Sequence, residues 1–127
     1  MATVAVINSN EDTVETLRTL LEREGWGTVE AHVDDIKRGR IDFLKFLEAH
    51  DPQVIIWDVP PPYDHGWAFL QLVRSSRAMQ GRVVLVTTTN KQALERFVGP
   101  TDAIEIFTKP YDVEILIDTI TRTLRAA

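Results

Sequence analysis

Asp58, Thr87, Thr88 and Lys109 are the residues of this sequence whose types and settings could do chemistry together. Asp58 closes the apolar run Val54-Ile55-Ile56-Trp57 and is followed by Val59-Pro60-Pro61-Pro62-Tyr63-Asp64-His65-Gly66. An apolar run ending in a proline-rich turn reads as a buried strand that delivers a carboxylate to the rim of a sheet. Such a carboxylate can form a turn, ligate a metal, act as a nucleophile or supply half of an ion pair. Thr87-Thr88-Thr89-Asn90 takes the same place after a second apolar run, residues 83–86, and Lys109 follows the strand-like stretch 104–107. Hydroxyls and an ammonium at one rim could recognise an anion without any covalent step.

The elements that must position these residues follow from the pattern. Residues 3–7 are β-branched and almost wholly apolar, the mark of a strand buried on both faces. Ser9 with Asp12, or Asn10, then caps a helix whose inner face is Val14, Leu17, Leu20 and Leu21, and Gly25 stops it. Residues 26–32 alternate and read as a strand nearer an edge, whereas 34–40 are polar and read as irregular. Ile41, Phe43, Leu44 and Leu47 mark a second helix ending before Asp51-Pro52. A third helix is expected over 64–79 with Ala68, Phe69, Leu72 and Val73 inward, and a fourth over 91–98 with Leu94, Phe97 and Val98 inward, closed by Gly99-Pro100. After the strand 104–107, Asp112 caps a fifth helix with Leu116, Ile117, Ile120 and Leu124 facing the core.

Strands alternating with helices over short connections imply parallel pairing through right-handed crossovers. The apolar strands 3–7, 54–57 and 83–86 belong in the middle and the alternating ones at the edges. The expected architecture is α/β: a flavodoxin-like (βα)5 three-layer sandwich with a parallel five-stranded sheet in order 2-1-3-4-5. In such a sheet ligands sit beyond the carboxyl ends of the strands, near the switch point between the first and third. Asn8, Ser9, Asp58, Thr87, Thr88 and Lys109 all lie there.

Composition narrows the function. The 127 residues suit a single domain over 1–127, with ordinary hydrophobic and charged content. A net charge of -5 argues against a general grip on nucleic acid or an anionic membrane. Without cysteine there are no disulfides, thiolate metal sites or thiol nucleophiles. No stretch approaches membrane-spanning length and no signal-like start precedes the first strand, so the expected location is cytoplasmic.

The set of rim residues resembles the receiver domain of two-component response regulators, over the whole chain. Asp58 falls at the family's phosphoacceptor position, Thr87 at its hydroxyl after the fourth strand, and Lys109 with Pro110 at its lysine-proline after the fifth. Pro62 and Gly66 match its loop. The resemblance implies a non-enzymatic signalling domain in a phosphorelay, with Thr87, Thr88 and Lys109 contacting a phosphoryl group or other anion on Asp58. Its implied partners are proteins, a histidine kinase or a downstream effector, met through the fourth helix, fifth strand and fifth helix, by which a homodimer could also form.

Five positions depart from the family pattern, among them Thr88, which stands where the family usually has a small residue that leaves room for the phosphoryl group. Asn8 and Ser9 stand where an acidic pair holds Mg²⁺, leaving Asp58 as the remaining carboxylate of three. Pro60 offers a carbonyl but no N–H. Ile106 replaces the aromatic switch residue. These make an atypical receiver with an eroded metal site, weak for Mg²⁺ and acting by protein binding, the main expectation. A conventional Mg²⁺-dependent receiver phosphorylated on Asp58 is the alternative. A small flavodoxin-like enzyme or nucleotide-binding protein is a third, opposed by the absence of glycine from the first loop, Asn8-Ser9-Asn10-Glu11.

Plainer readings compete at several residues. With the acidic pair gone, Asp58 and Lys109 form a direct ion pair as the natural resting state. Asn8 and Ser9 read first as helix caps. His65 reads as an exposed loop histidine, and His32 and His50 lie on other connections. Lys37-Arg38-Gly39-Arg40 reads as a solvated loop, Trp57 as core, and Trp67 as a possible binding residue beside the Asp58 loop.

Overall fold

The structure, a computed structural model, describes residues 2–9, 11–99, 105–109 and 113–126, with the side chains of 11–13 and 126 left aside. Its strands are β1 (Thr3–Asn8), β2 (Gly27–His32), β3 (Val54–Asp58), β4 (Val83–Thr88) and β5 (Glu105–Thr108). Its helices are α1 (Glu11–Arg23), α2 (Val33–Lys37), α3 (Phe43–His50), α4 (Tyr63–Arg74), α5 (Lys91–Glu95) and α6 (Val113–Ala126). The strands form one parallel sheet in the order β2-β1-β3-β4-β5, as the burial pattern of the sequence requires.

The sheet divides the core into two. Val4, Val6, Val54, Ile56 and Leu85 pack with Val14, Leu17 and Leu21 of α1 and Leu116 and Ile120 of α6. The alternate residues Ala5, Ile7, Ile55, Trp57 and Val86 pack on the other face with Leu47 of α3, Leu70 of α4 and Leu94 of α5. Each central strand has an apolar partner on both sides, which is why it carries no polar alternation. All five residues of β3 are buried, Asp58 included.

Several local expectations are corrected. Residues 33–37 are helical: His32 Nδ1 accepts from the Asp34 N–H at 3.1 Å, and Lys37 Nζ lies 5.4 Å from the Phe69 ring centroid. A five-residue helix with one buried residue, Val33, leaves too short an apolar pattern to be read. The helix expected over 64–79 ends at Arg74 and continues as a 3-10 turn at Arg77–Met79. Ser75 Oγ bonds back to the Leu72 carbonyl at 2.7 Å, competing with helix continuation there.

The inner face of α4 differs in part, since Phe69 and Val73 pack against the core as expected but Ala68 and Leu72 do not. Gly66, Trp67 and Leu70 are its buried residues, while Leu72 is 69% exposed and Ala68 lies outside the core. Trp67 is therefore a core residue, 6% exposed, and not a binding surface. Gly66 lies on this inner face where α4 closely approaches the turn after β3: a Cβ there would lie 2.8 Å from Val59 Cγ1 and 3.3 Å from the Pro60 carbonyl oxygen. α5 is shorter than expected, and Phe97 beyond it is 47% exposed. The caps assigned to Asn10 and Asp112, the closing Pro100, the strand start at Ile104 and the match at Pro110 lie outside the described residues, as does the side chain of Asp12.

Candidate functional site

The site is built by strand register and side-chain alternation. Asn8 aligns with His32, Asp58 with Thr87, and Thr88 with Thr108, so the strands end at one rim. Val54 and Ile56 face α1 and α6, which sends Asp58, two residues on, to the same side. Leu85 faces that side too, so Thr87 follows it and Thr88 turns to the opposite layer.

Thr87 Oγ1 accordingly donates to Asp58 Oδ1 at 2.8 Å. Lys109 Nζ lies 2.7 Å from the same oxygen, and the Ser9 hydroxyl donates to the other, Oδ2. Both carboxylate oxygens are thus engaged by donors from β4, from the residue after β5 and from the β1–α1 junction. Backbone bonds hold the rim in place: the Lys109 N–H donates to the Thr88 carbonyl at 2.7 Å and the Val59 N–H to the Thr87 carbonyl at 2.9 Å. Asp58 is 5% exposed, whereas the Lys109 side chain keeps 21% exposure. The pair therefore sits at the edge of the low-dielectric interior, where a charge-assisted bond is stronger than on the open surface.

The other rim residues are placed as follows. Thr88 is fully buried and donates its hydroxyl to the Val59 carbonyl at 2.9 Å, so its bond is to the backbone and not to Asp58. The Asn8 amide Nδ2 donates to the Ala31 carbonyl at 3.2 Å, away from Asp58. For Asn8 and Ser9 the structure thus shows side-chain contacts that the helix-cap reading does not contain. Pro60 is half-buried over Gly66, and Ile106 packs against the core layer that contains Val86 and Leu94. Tyr63 and Thr89 join their hydroxyls at 2.8 Å, tying the start of α4 to the end of β4.

The Ser9 contact escaped sequence reasoning although its signal was present. Once β1 and β3 are neighbours, the residue after β1 must lie beside the last residue of β3. The histidines serve separate places. His65 is exposed, 3.8 Å from Asp64, His50 packs edge-on against Phe46, and His32 caps α2. Arg38 and Arg40 pair locally with Asp34 and Asp35. Among the described residues no group of three His, Cys, Asp or Glu could hold a metal ion, and no helix is long and apolar enough to cross a membrane.

Comparison with known proteins places this rim in context. Residues 4–121 match the family model of the response regulator receiver domain. Among solved structures, the chain is similar to a sensor protein from Polaromonas sp. JS666, with TM-score 0.78, 16% identity, and 98% of this chain and 97% of that one covered. It is similar to the signal receiver domain of a signal transduction histidine kinase from Syntrophus aciditrophicus, with TM-score 0.76, 21% identity, and 100% and 92% covered. It is also similar to the signal receiver domain of a DNA-binding response regulator from Colwellia psychrerythraea 34H, with TM-score 0.75, 18% identity, and 98% and 99% covered. At these identities the solved structures establish the fold alone.

Proposed function

Because the chain belongs to the response regulator receiver domain family, a group of signalling modules of two-component systems, we propose that it is an atypical receiver whose Asp58 rests in a closed donor cage and which signals by binding a protein partner. The observation that carries this reading is the engagement of both Asp58 oxygens by Lys109, Thr87 and Ser9.

A divalent cation beside Asp58 would need several oxygen ligands, preferably anionic. The donor set does not suit Mg²⁺. Asp58 is the one carboxylate of the described rim, the Lys109 ammonium lies where a cation would meet Oδ1, and Asn8 is turned to Ala31. The ammonium neutralises Asp58 without any metal, and Pro60 has no N–H to give a phosphoryl oxygen. The partner would be a histidine kinase or a downstream effector, met through α5, β5 and α6, where Phe97 and Ile115 are 47% and 54% exposed.

Incubation with Mg²⁺ and acetyl phosphate, or with a beryllofluoride mimic, tests this reading by intact mass and by the amide shifts of Thr87. The expected result is an unmodified chain with unmoved shifts. Stable, Mg²⁺-dependent modification of Asp58 would overturn it in favour of the conventional receiver. That second reading draws support from one feature: Asp58, Thr87 and Lys109 meet at bonding distance, as a phosphoryl-accepting site would need.

A further inference from the structure

The chain leaving β3 and the chain leaving β4 are bonded to each other at successive points. The Val59 N–H donates to the Thr87 carbonyl at 2.9 Å, the Thr88 hydroxyl donates to the Val59 carbonyl at 2.9 Å, and the Tyr63 and Thr89 hydroxyls meet at 2.8 Å. Between Val59 and Tyr63 lie Pro60, Pro61 and Pro62, each with its φ fixed by its ring. With the Thr87 bond to Asp58 Oδ1, these links close a ring that runs from Asp58 along a stiff loop to Tyr63, across to Thr89 and back along β4.

The last link differs from the others in its setting. Val59, Thr87 and Thr88 are buried, whereas Thr89 is exposed and its bond to Tyr63 meets solvent. A hydroxyl pair at the surface opens at little cost, because water replaces either partner. The Tyr63 ring packs against the core layer of Trp57 and Leu70, so on opening Tyr63 stays in place and Thr89 moves. Thr89 leads directly into α5. Asn90 caps that helix by accepting the Ala93 N–H at 3.0 Å, and Leu94 is its one buried residue. A five-residue helix held by one cap and one buried side chain frays readily. Phe97, 47% exposed, lies just beyond it.

We propose that the Tyr63–Thr89 bond is a latch that holds α5 to the Asp58 loop, and that a change of charge at Asp58 reaches α5 and Phe97 through it. The latch rests on the reading of Asp58 as the residue whose state is signalled. Loss of the charge weakens the Thr87 bond, loosens the exit of β4 against the proline loop and opens the hydroxyl pair, so that α5 loses the fixed point at its start.

Amide hydrogen exchange of the full chain tests the latch without Mg²⁺ or phosphodonor, so its outcome is separate from that of the acetyl phosphate incubation. Tyr63→Phe keeps the packed ring and removes the hydroxyl. It should speed exchange about fivefold at Leu94 and Phe97, whose N–H groups donate to the Asn90 and Leu94 carbonyls, the factor expected for one hydrogen bond. Exchange at Phe46 and Asp51, which donate to the Asp42 and Leu47 carbonyls around α3, should stay unchanged. Thr89→Val should reproduce both results. Asp58→Asn should speed exchange at Leu94 and Phe97 in the parent chain and add nothing in Tyr63→Phe. Unchanged α5 exchange in Tyr63→Phe, equal acceleration around α3, or an Asp58→Asn effect on α5 that is absent from the parent or persists in Tyr63→Phe would each overturn the proposal.

Discussion

Lys109 Nζ lies 2.7 Å from Asp58 Oδ1, joining the rims of β3 and β5 across β4, whose Thr87 reaches the same oxygen at 2.8 Å. Three adjacent strands are tied at one atom. The two partners differ in their access to water, since Asp58 is 5% exposed and the Lys109 side chain 21%. Removing one or the other should therefore have unequal effects.

Lys109→Met leaves Asp58 buried with hydroxyl donors and no cation. An uncompensated buried charge is expensive, and allowing for the partial exposure of this pair the loss is about 2–3 kcal/mol. Asp58→Asn keeps an acceptor for Thr87 and lets the long Lys109 side chain carry its charge toward solvent, so its cost is about 1 kcal/mol. Urea unfolding of the two variants checks the order. Equal losses would mean that the pair is effectively solvated.

Asn8→Asp with Ser9→Asp places two more carboxylates at the rim that holds Asp58. Without divalent cation their mutual repulsion should lower stability, and Mg²⁺ should restore it by about 1.4 kcal/mol once tenfold above its dissociation constant. The parent chain should melt at the same temperature in Mg²⁺ and in EDTA. Thermal unfolding of both chains, followed by tryptophan fluorescence, makes the comparison. A parent chain stabilised by Mg²⁺ would show that the Lys109 ammonium yields to the metal.

The strands and their order were legible because burial on both faces removes polar alternation, as in residues 54–57. The rim residues followed from the strand ends. What the sequence left open was phase and short-range bonding. Trp67 and Leu70 satisfy helical spacing as well as Ala68 and Leu72 do, and they share the inner face with Phe69 and Val73 on the side where Gly66 approaches Val59. α2 owes its start to the His32 side chain, an unusual cap, and its polar face gives no period to follow. Thr87 and Thr88 differ by one position, and only the register with Asp58 shows which of them meets it.

That difference is testable. Thr87→Val removes a bond to a charged acceptor and should cost about 1.5–3 kcal/mol, whereas Thr88→Val removes a bond to the Val59 carbonyl and should cost about 1 kcal/mol. Carboxyl-carbon chemical shifts separate the two causes. The Asp58 signal should move in Thr87→Val and stay in place in Thr88→Val, and the opposite pattern would contradict the alternation argument.

Gly66→Ala probes the packing of the loop under Asp58. The added Cβ meets Val59 Cγ1 at 2.8 Å, closer than real methyl contacts allow, and Val59 is fully buried and cannot move aside. Overpacking of this kind costs about 1–3 kcal/mol. Val59→Ala alone leaves a cavity, at about 2 kcal/mol. In the double variant the new methyl occupies part of the space the valine vacated, so the combined loss should fall short of the sum by about 1 kcal/mol or more. Additive losses in a denaturation cycle would mean that the Pro60 carbonyl, 3.3 Å from the same Cβ, is the group that resists.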